Sequence, residues 1–144
     1  MPSRDEIIAA ARGWIGTPYR HQASLQGVGC DCLGLVRGVW RGCIGGEPEA
    51  LPAYSQDWAE AGAGETLLHA ALRHLVPLAL DEAGAGDVLL FRWRARLPAK
   101  HAGLLTARRT MVHAHEGAAV CEIHLSDWWL RHRAAAFAFP GVTG

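Results

Sequence analysis

No run in this sequence approaches the roughly 18 consecutive apolar residues that a membrane span requires. The opening residues, Met1-Pro2-Ser3-Arg4-Asp5-Glu6-Ile7-Ile8, lack the apolar core and small-residue cleavage site of a secretory signal. A chain made in the cytoplasm and not inserted in a membrane is the expectation. An excess of either charge is missing too: 14 Lys and Arg stand against 14 Asp and Glu, so no strong field draws in nucleic acid or an anionic surface. Repeats and low-complexity tracts are absent. Cysteine is scarce, at positions 30, 32, 43 and 121, and in a reducing compartment such thiols serve chemistry, metal binding or packing rather than a disulfide frame.

What is present reads as one domain over residues 1–144, half of them apolar. Ser3 and Glu6 form a capping box ahead of Ile7, Ile8, Ala11, Trp14 and Ile15, which predicts a helix over 4–15. Gly16 and Pro18 stop it, and 16–29 has the period of neither helix nor strand. A second helix opens at Cys32, with Asp31 as its cap, an apolar stripe of Leu35, Val36, Val39 and Trp40, and a bare strip at Gly34 and Gly38 where another backbone can approach. Residues 42–64, with Leu51, Tyr54 and Trp58, read as a long ordered loop, and Leu68, Leu72 and Leu75 as the stripe of a third helix closed by Pro77. The period then changes to short strands over 87–93, 101–106, 110–115, 119–125 and 134–139, with a brief helix within 126–133. Helices followed by a strand meander predict an α+β fold with an antiparallel sheet.

A hairpin centred near Ala107 sets His101 opposite His113, with Cβ atoms about 5 Å apart on one face. One imidazole can then orient the other. A thiol that attacks a carbonyl needs a lowered pKa, a base within reach and donors for the oxyanion. Cys32 at a helix N-terminus beside His⁺ falls in the class whose pKa drops from ~8.5 to about 3.5–7.5, and its own backbone amide can serve the oxyanion. Packing is the competing reading, because Cys32 lies on the apolar stripe of its helix and lone strand histidines are commonly structural.

The segments Gly16-Thr17-Pro18-Tyr19, Cys30-Asp31-Cys32-Leu33-Gly34-Leu35-Val36, Gly86-Asp87-Val88-Leu89-Leu90-Phe91, His101-Ala102-Gly103-Leu104-Leu105 and Met111-Val112-His113-Ala114 together resemble the NlpC/P60 cysteine peptidases. The resemblance runs from the first helix to the last strand. It implies a reduced papain-like fold, N-terminal helices packed on an antiparallel sheet, with Cys32 as nucleophile, His101 as general base and acid, His113 as the residue orienting His101, and Tyr19 beside the oxyanion or substrate. It also implies the reaction, hydrolysis of the D-γ-glutamyl–diamino acid bond of peptidoglycan stem peptides, with no cofactor and no metal. The common Asp-Cys-Ser-Gly-Leu is here Asp31-Cys32-Leu33-Gly34-Leu35 with Cys30 before it. With Val39-Trp40-Arg41 and Pro52-Ala53-Tyr54-Ser55-Gln56-Asp57-Trp58, this resembles the branch of tailed phages and gene transfer agents. That branch implies tail or baseplate partners and delivery to the cell wall or periplasm by a particle.

Several alternatives stand beside it. Cys30, Cys32, His113 and His115 are four zinc-competent ligands, although Cys-x-Cys is closer than structural zinc sites favour. A catalytically silent tail component and a thiol acyltransferase of the same fold are further readings. His115 competes with His113 as orienting residue, since both fall on one face of the expected strand. Cys30 is either a packed loop residue or a redox cap on Cys32.

Overall fold

The computed structural model describes residues 2–48 and 65–144. Ser3 starts α1 (Arg4–Arg12) by accepting from the Glu6 N–H at 3.1 Å. The helix stops three residues before the expected end. From Trp14 onward the N–H groups bond three residues back, to Ala11 and Arg12, which tightens the last turn. Trp14 therefore stays buried while Ile15 swings outward, 46% exposed.

The expected loop over 16–29 contains a small ribbon, β1 (Ser24–Leu25) and β2 (Gly29–Cys30). Gly27 turns it at φ +78°, a backbone region that L side chains avoid. Two-residue strands are too short to leave a period in the sequence. The next helix, α2 (Cys32–Cys43), begins where Asp31 predicts. Asp31 Oδ1 accepts from the Gly34 N–H and Oδ2 from the Gln22 N–H, each at 2.7 Å, so one buried carboxylate caps the helix and fastens the preceding loop. The bare strip is used on both levels: a Cβ on Gly34 would lie 1.9 Å from the Ala23 carbonyl oxygen, and one on Gly38 2.0 Å from the Trp14 ring.

The loop expected over 42–64 lies, from residue 49 onward, outside the described residues, and with it Leu51, Tyr54 and Trp58. In α3 (Thr66–His74) the expected stripe is rotated by one position, with Leu67 and Ala71 turned inward and Leu72 51% exposed. Pro77 does more than close that helix. It sits in β3 (Val76–Leu78), an edge strand, where a missing N–H costs no ladder bond.

After a 3₁₀ turn at Leu80–Glu82, the remaining elements of the described residues are β4 (Val88–Phe91), β5 (His101–Ala107), β6 (Thr110–His113), β7 (Cys121–His124), α4 (Asp127–Arg131) and β8 (Arg133–Ala138). Each strand read from the sequence is present, with its ends moved by one or two residues. Six strands form an antiparallel sheet in the order β3-β8-β4-β5-β6-β7, the α+β arrangement expected. Val88, Leu90, Ala102, Leu104 and Val112 face the core shared with α1, α2 and α3. Leu89, Phe91, Leu105, Met111 and Ala136 face the other side, covered by Trp129 and Leu130 of α4. The period-2 alternation of strand side chains produces both cores from the same strands.

The β5–β6 register differs from the symmetric hairpin. Ala107 pairs with Thr110 across a turn at Arg108 and Arg109, and a bulge between Leu105 and Ala107 gives Leu104 opposite Val112. His113 therefore stands level with Gly103, and His101 lies two residues further along. A shift of two keeps both histidines on one face, so their meeting survives the changed register.

Candidate active site

The N-terminus of α2 and the start of β5 bring Cys32 and His101 to one end of the sheet. Cys32, the first residue of its helix, is half-buried, and its thiol points at the Lys100 carbonyl, 3.8 Å away, one residue before His101. Tyr19, Asp31, Cys32, Lys100, His101 and His115 line one cavity together with His21, Trp93 and Glu116. Tyr19 is held there by pairing beside Cys30, with the Arg20 N–H bonded to the Cys30 carbonyl.

His101 Nε2 lies 2.9 Å from His113 Nδ1, the rings at 84°, and both side chains are buried. His115 is exposed and stacks on His113 at 5.7 Å, its ring centroid 5.9 Å from that of His101. The hydrogen bond to His101 is thus made by His113, and His115 forms part of the cavity wall. Trp93 stacks on His101 at 5.3 Å and 27°, and Trp129 packs against both buried histidines. The sequence offers no signal for Trp93, His21, Lys100 or Glu116, because only the folded chain brings their segments to Cys32. Asp31 was legible as a cap, but its 4.0 Å approach to His21 Nδ1 was not.

The electrostatics reverse one expectation. Burial, then the Asp31 carboxylate, push the Cys32 thiol up to about 12, against the backbone N–H groups of Ala102, Leu33 and Cys32, which favour the thiolate. Burial, then His113, His115 and Lys100, hold His101 well below the usual histidine range. Burial and His115 lower His113 to about 4. Burial outweighs the helix N-terminus here, so the resting pair is a neutral thiol beside a neutral imidazole. Burial, with Cys32 and Asp31 next, also raises the Tyr19 hydroxyl, which remains a donor at neutral pH.

The buried histidines make stability depend on pH. An unfolded imidazole titrates near ~6.5, so between that value and about 4 the unfolded chain binds protons that folded His113 refuses. Stability therefore falls as pH drops through this window, by up to about 1.4 kcal/mol per pH unit for each such histidine. Urea midpoints should decrease from pH 7.5 to pH 5. An unchanged midpoint in the wild type would contradict neutral burial of this pair.

All four cysteines are free thiols, and Cys30 is fully buried in the core, as a packed residue would be. Among the described residues no group of three His, Cys, Asp or Glu is placed to hold a metal ion. Nor, among them, is any helix long and apolar enough to cross a membrane.

Solved structures share this fold at low identity. A NlpC/P60 family protein from Bacillus cereus superposes with TM-score 0.69 at 19% identity, covering 96% of this chain and 40% of that one. The NlpC/p60 domain of the peptidoglycan hydrolase SagA gives TM-score 0.65 at 20% identity, covering 95% and 99%. NlpC1 from Trichomonas vaginalis gives 0.61 at 15%, covering 94% and 43%. The chain thus spans less than half of the Bacillus and Trichomonas proteins but nearly all of the SagA domain, and the reduced papain-like fold expected from the motifs is the one observed. No curated protein matches the sequence. The sequence profile of the NlpC/P60 family matches residues 16–136, from the Gly16-Thr17-Pro18-Tyr19 segment through α2 and both histidine strands into β8, and on that match the chain belongs to the NlpC/P60 family.

Proposed function

We propose that this chain is a thiol hydrolase of peptidoglycan stem peptides that cleaves the D-γ-glutamyl–diamino acid bond. The observation that carries the proposal is the buried 2.9 Å His101–His113 hydrogen bond opening on the cavity that holds the half-buried Cys32. Since Nε2 of His101 faces His113, Nδ1 is the nitrogen left for the thiol. For Nδ1 to accept a proton, neutral His101 carries its own on Nε2 and donates it to His113 Nδ1, which fixes ring and tautomer together.

In this mechanism the proton passes from Cys32 to His101 as sulfur attacks the carbonyl carbon, because neither ionised partner is favoured at rest. The imidazolium that forms is stabilised by His113 and by the face of Trp93. The Cys32 backbone amide and the Tyr19 hydroxyl hold the oxyanion. His101 then protonates the leaving amine, and water, deprotonated by His101, hydrolyses the thioester.

The bond itself and the place of action extend the family motifs. A tail-tip component carried by a phage-like particle, with tail or baseplate proteins as partners, fits the Asp31-Cys32-Leu33 variant and Val39-Trp40-Arg41. It would act in the cell wall or periplasm. Incubation with diaminopimelate-type peptidoglycan, followed by mass spectrometry of the soluble products, tests the reaction. Fragments cut after γ-glutamate are expected from the wild type and not from Cys32→Ala. Intact substrate with a folded, alkylatable Cys32 would shift the assignment to a catalytically silent tail component.

A further inference from the structure

The cavity around Cys32 and His101 continues in two directions. Trp93 and His115 line it and also line an adjoining open recess with Trp128 and Trp129. Tyr19 lines it and also borders a shallow recess with Pro18 and the small residues Gly117, Ala118 and Ala119. The two outer recesses share no residue with each other, so the three hollows run in series with the catalytic one in the middle.

The chemistry of the proposed reaction gives this series a direction. The histidine that protonates the leaving amine must lie on the amine side of the scissile carbonyl. His101 has Trp93 stacked on its face and Trp129 at 5.7 Å, so the hollow that continues past His101 is the aromatic one. We infer that the recess formed by Trp93, His115, Trp128 and Trp129 is the leaving-group subsite, holding the diamino acid residue released by cleavage and the residue after it. This inference rests on the hydrolase reading. The acyl half of the substrate then lies toward Tyr19 and the small residues 117–119.

The recess is suited to that occupant. Trp128 is 43% exposed, yet its ring is stacked on His132 at 4.0 Å and set edge-on to Trp129 at 5.1 Å, so a ligand meets a surface already held in place. Among the described residues no carboxylate lines the recess, which suits the carboxylate of a diaminopimelate side chain. Indole faces take methylene stems by burial and ammonium groups by cation–π attraction, and the diaminopimelate side chain is a methylene stem whose far end carries an ammonium beside a carboxylate.

The test uses two substrates with the same L-Ala-γ-D-Glu acyl half, one releasing diaminopimelyl-D-alanine and the other ethylamine. Wild type should prefer the first in kcat/KM. Trp128→Ala should cut that preference roughly threefold to tenfold, the size of a lost aromatic contact, while Trp128→Phe keeps most of it. Leu25→Ser, at an exposed position in none of the three hollows, should leave the preference intact. In parallel, diaminopimelyl-D-alanine should shift the tryptophan fluorescence of Cys32→Ala, and more weakly once Trp128→Ala is added. An unchanged preference in Trp128→Ala, with both substrates cleaved, overturns the subsite and leaves the hydrolase reading standing. If wild type cleaves neither substrate but the peptide still shifts fluorescence through Trp128, the hydrolase reading fails and the leaving-group assignment falls with it, leaving a peptide-binding recess alone. Neither cleavage nor a shift overturns both.

Discussion

Cys32→Ala should lower kcat/KM on a γ-glutamyl stem peptide by about 10⁴-fold or more, because in the proposed mechanism removing the nucleophile leaves only substrate positioning and oxyanion donors. His101→Ala should come close to the same loss, and the double variant should be no worse than either single one, since in that mechanism the two side chains act as one proton-transfer unit. His113→Asn should lose less: an amide can still accept from His101 Nε2 and hold its tautomer, although it shares a growing positive charge less well than imidazole. The neutral resting pair has its own signature. With the thiol pushed up to about 12, alkylation of Cys32 by iodoacetamide, followed by peptide mass mapping, should accelerate roughly tenfold per pH unit through pH 9. A plateau in that rate below pH 7 would show a standing thiolate–imidazolium pair and would falsify the neutral-pair mechanism. Loss of activity in Cys32→Ala alone, without loss in His101→Ala, would remove His101 from the proton path.

The second large effect concerns folding. Gly34→Ala would place its Cβ 1.9 Å from the Ala23 carbonyl oxygen and 3.0 Å from the carbonyl carbon. The neighbour is backbone, so no rotamer change relieves the contact. Ala23 is also tied at both ends, its N–H to the Arg20 carbonyl and its carbonyl to the Asp31 N–H. Either α2 or the β1–β2 ribbon must move, at a cost of about 3 kcal/mol, the upper range for overpacking. Gly42→Ala, in the same helix, provides the opposite sign. Among the described residues nothing lies within 4 Å of a Cβ there, and its backbone lies outside the left-handed region, so about 0.5–1 kcal/mol of stabilisation is expected from helix propensity. Urea denaturation of both variants decides the matter, and equal midpoints would refute the close approach. Because the Ala23–Asp31 contact also sets the start of α2, Gly34→Ala should displace Cys32 and lower activity even in the fraction that folds.

Local features carried far in this chain. Asp31 as a cap, Cys32 in the first turn, the two glycines on one face of α2 and the five strands from β4 to β8 are short-range consequences of side-chain chemistry and period, and each appears in the structure. The family motifs were equally local, which is why residues 16–136 could be matched without knowledge of the fold. Three strands leave no such signal: β1 and β2 have two residues each, and β3 contains a proline that on sequence grounds only ends a helix. The stripe of α3 differs from the expected one because its leucines cover more than one side of the helix, and packing into the core with Val88, Leu90 and Ala102 selects Leu67 and Ala71.

The sequence by itself determined the helices, the longer strands and their order, the glycine strip and the thiol and imidazoles available for chemistry, because these depend on neighbours within a few positions. Only the tertiary structure decided the turn and bulge that together set β5 against β6 two residues away from the symmetric hairpin, the choice of His113 over His115 as partner of His101, and the burial that disfavours thiolate and imidazolium. Register depends on where a turn and a bulge fall along both strands. Desolvation depends on every segment that covers a group, here Tyr19, Trp93 and α4 from three distant parts of the chain. Neither quantity is a property of any local stretch of residues.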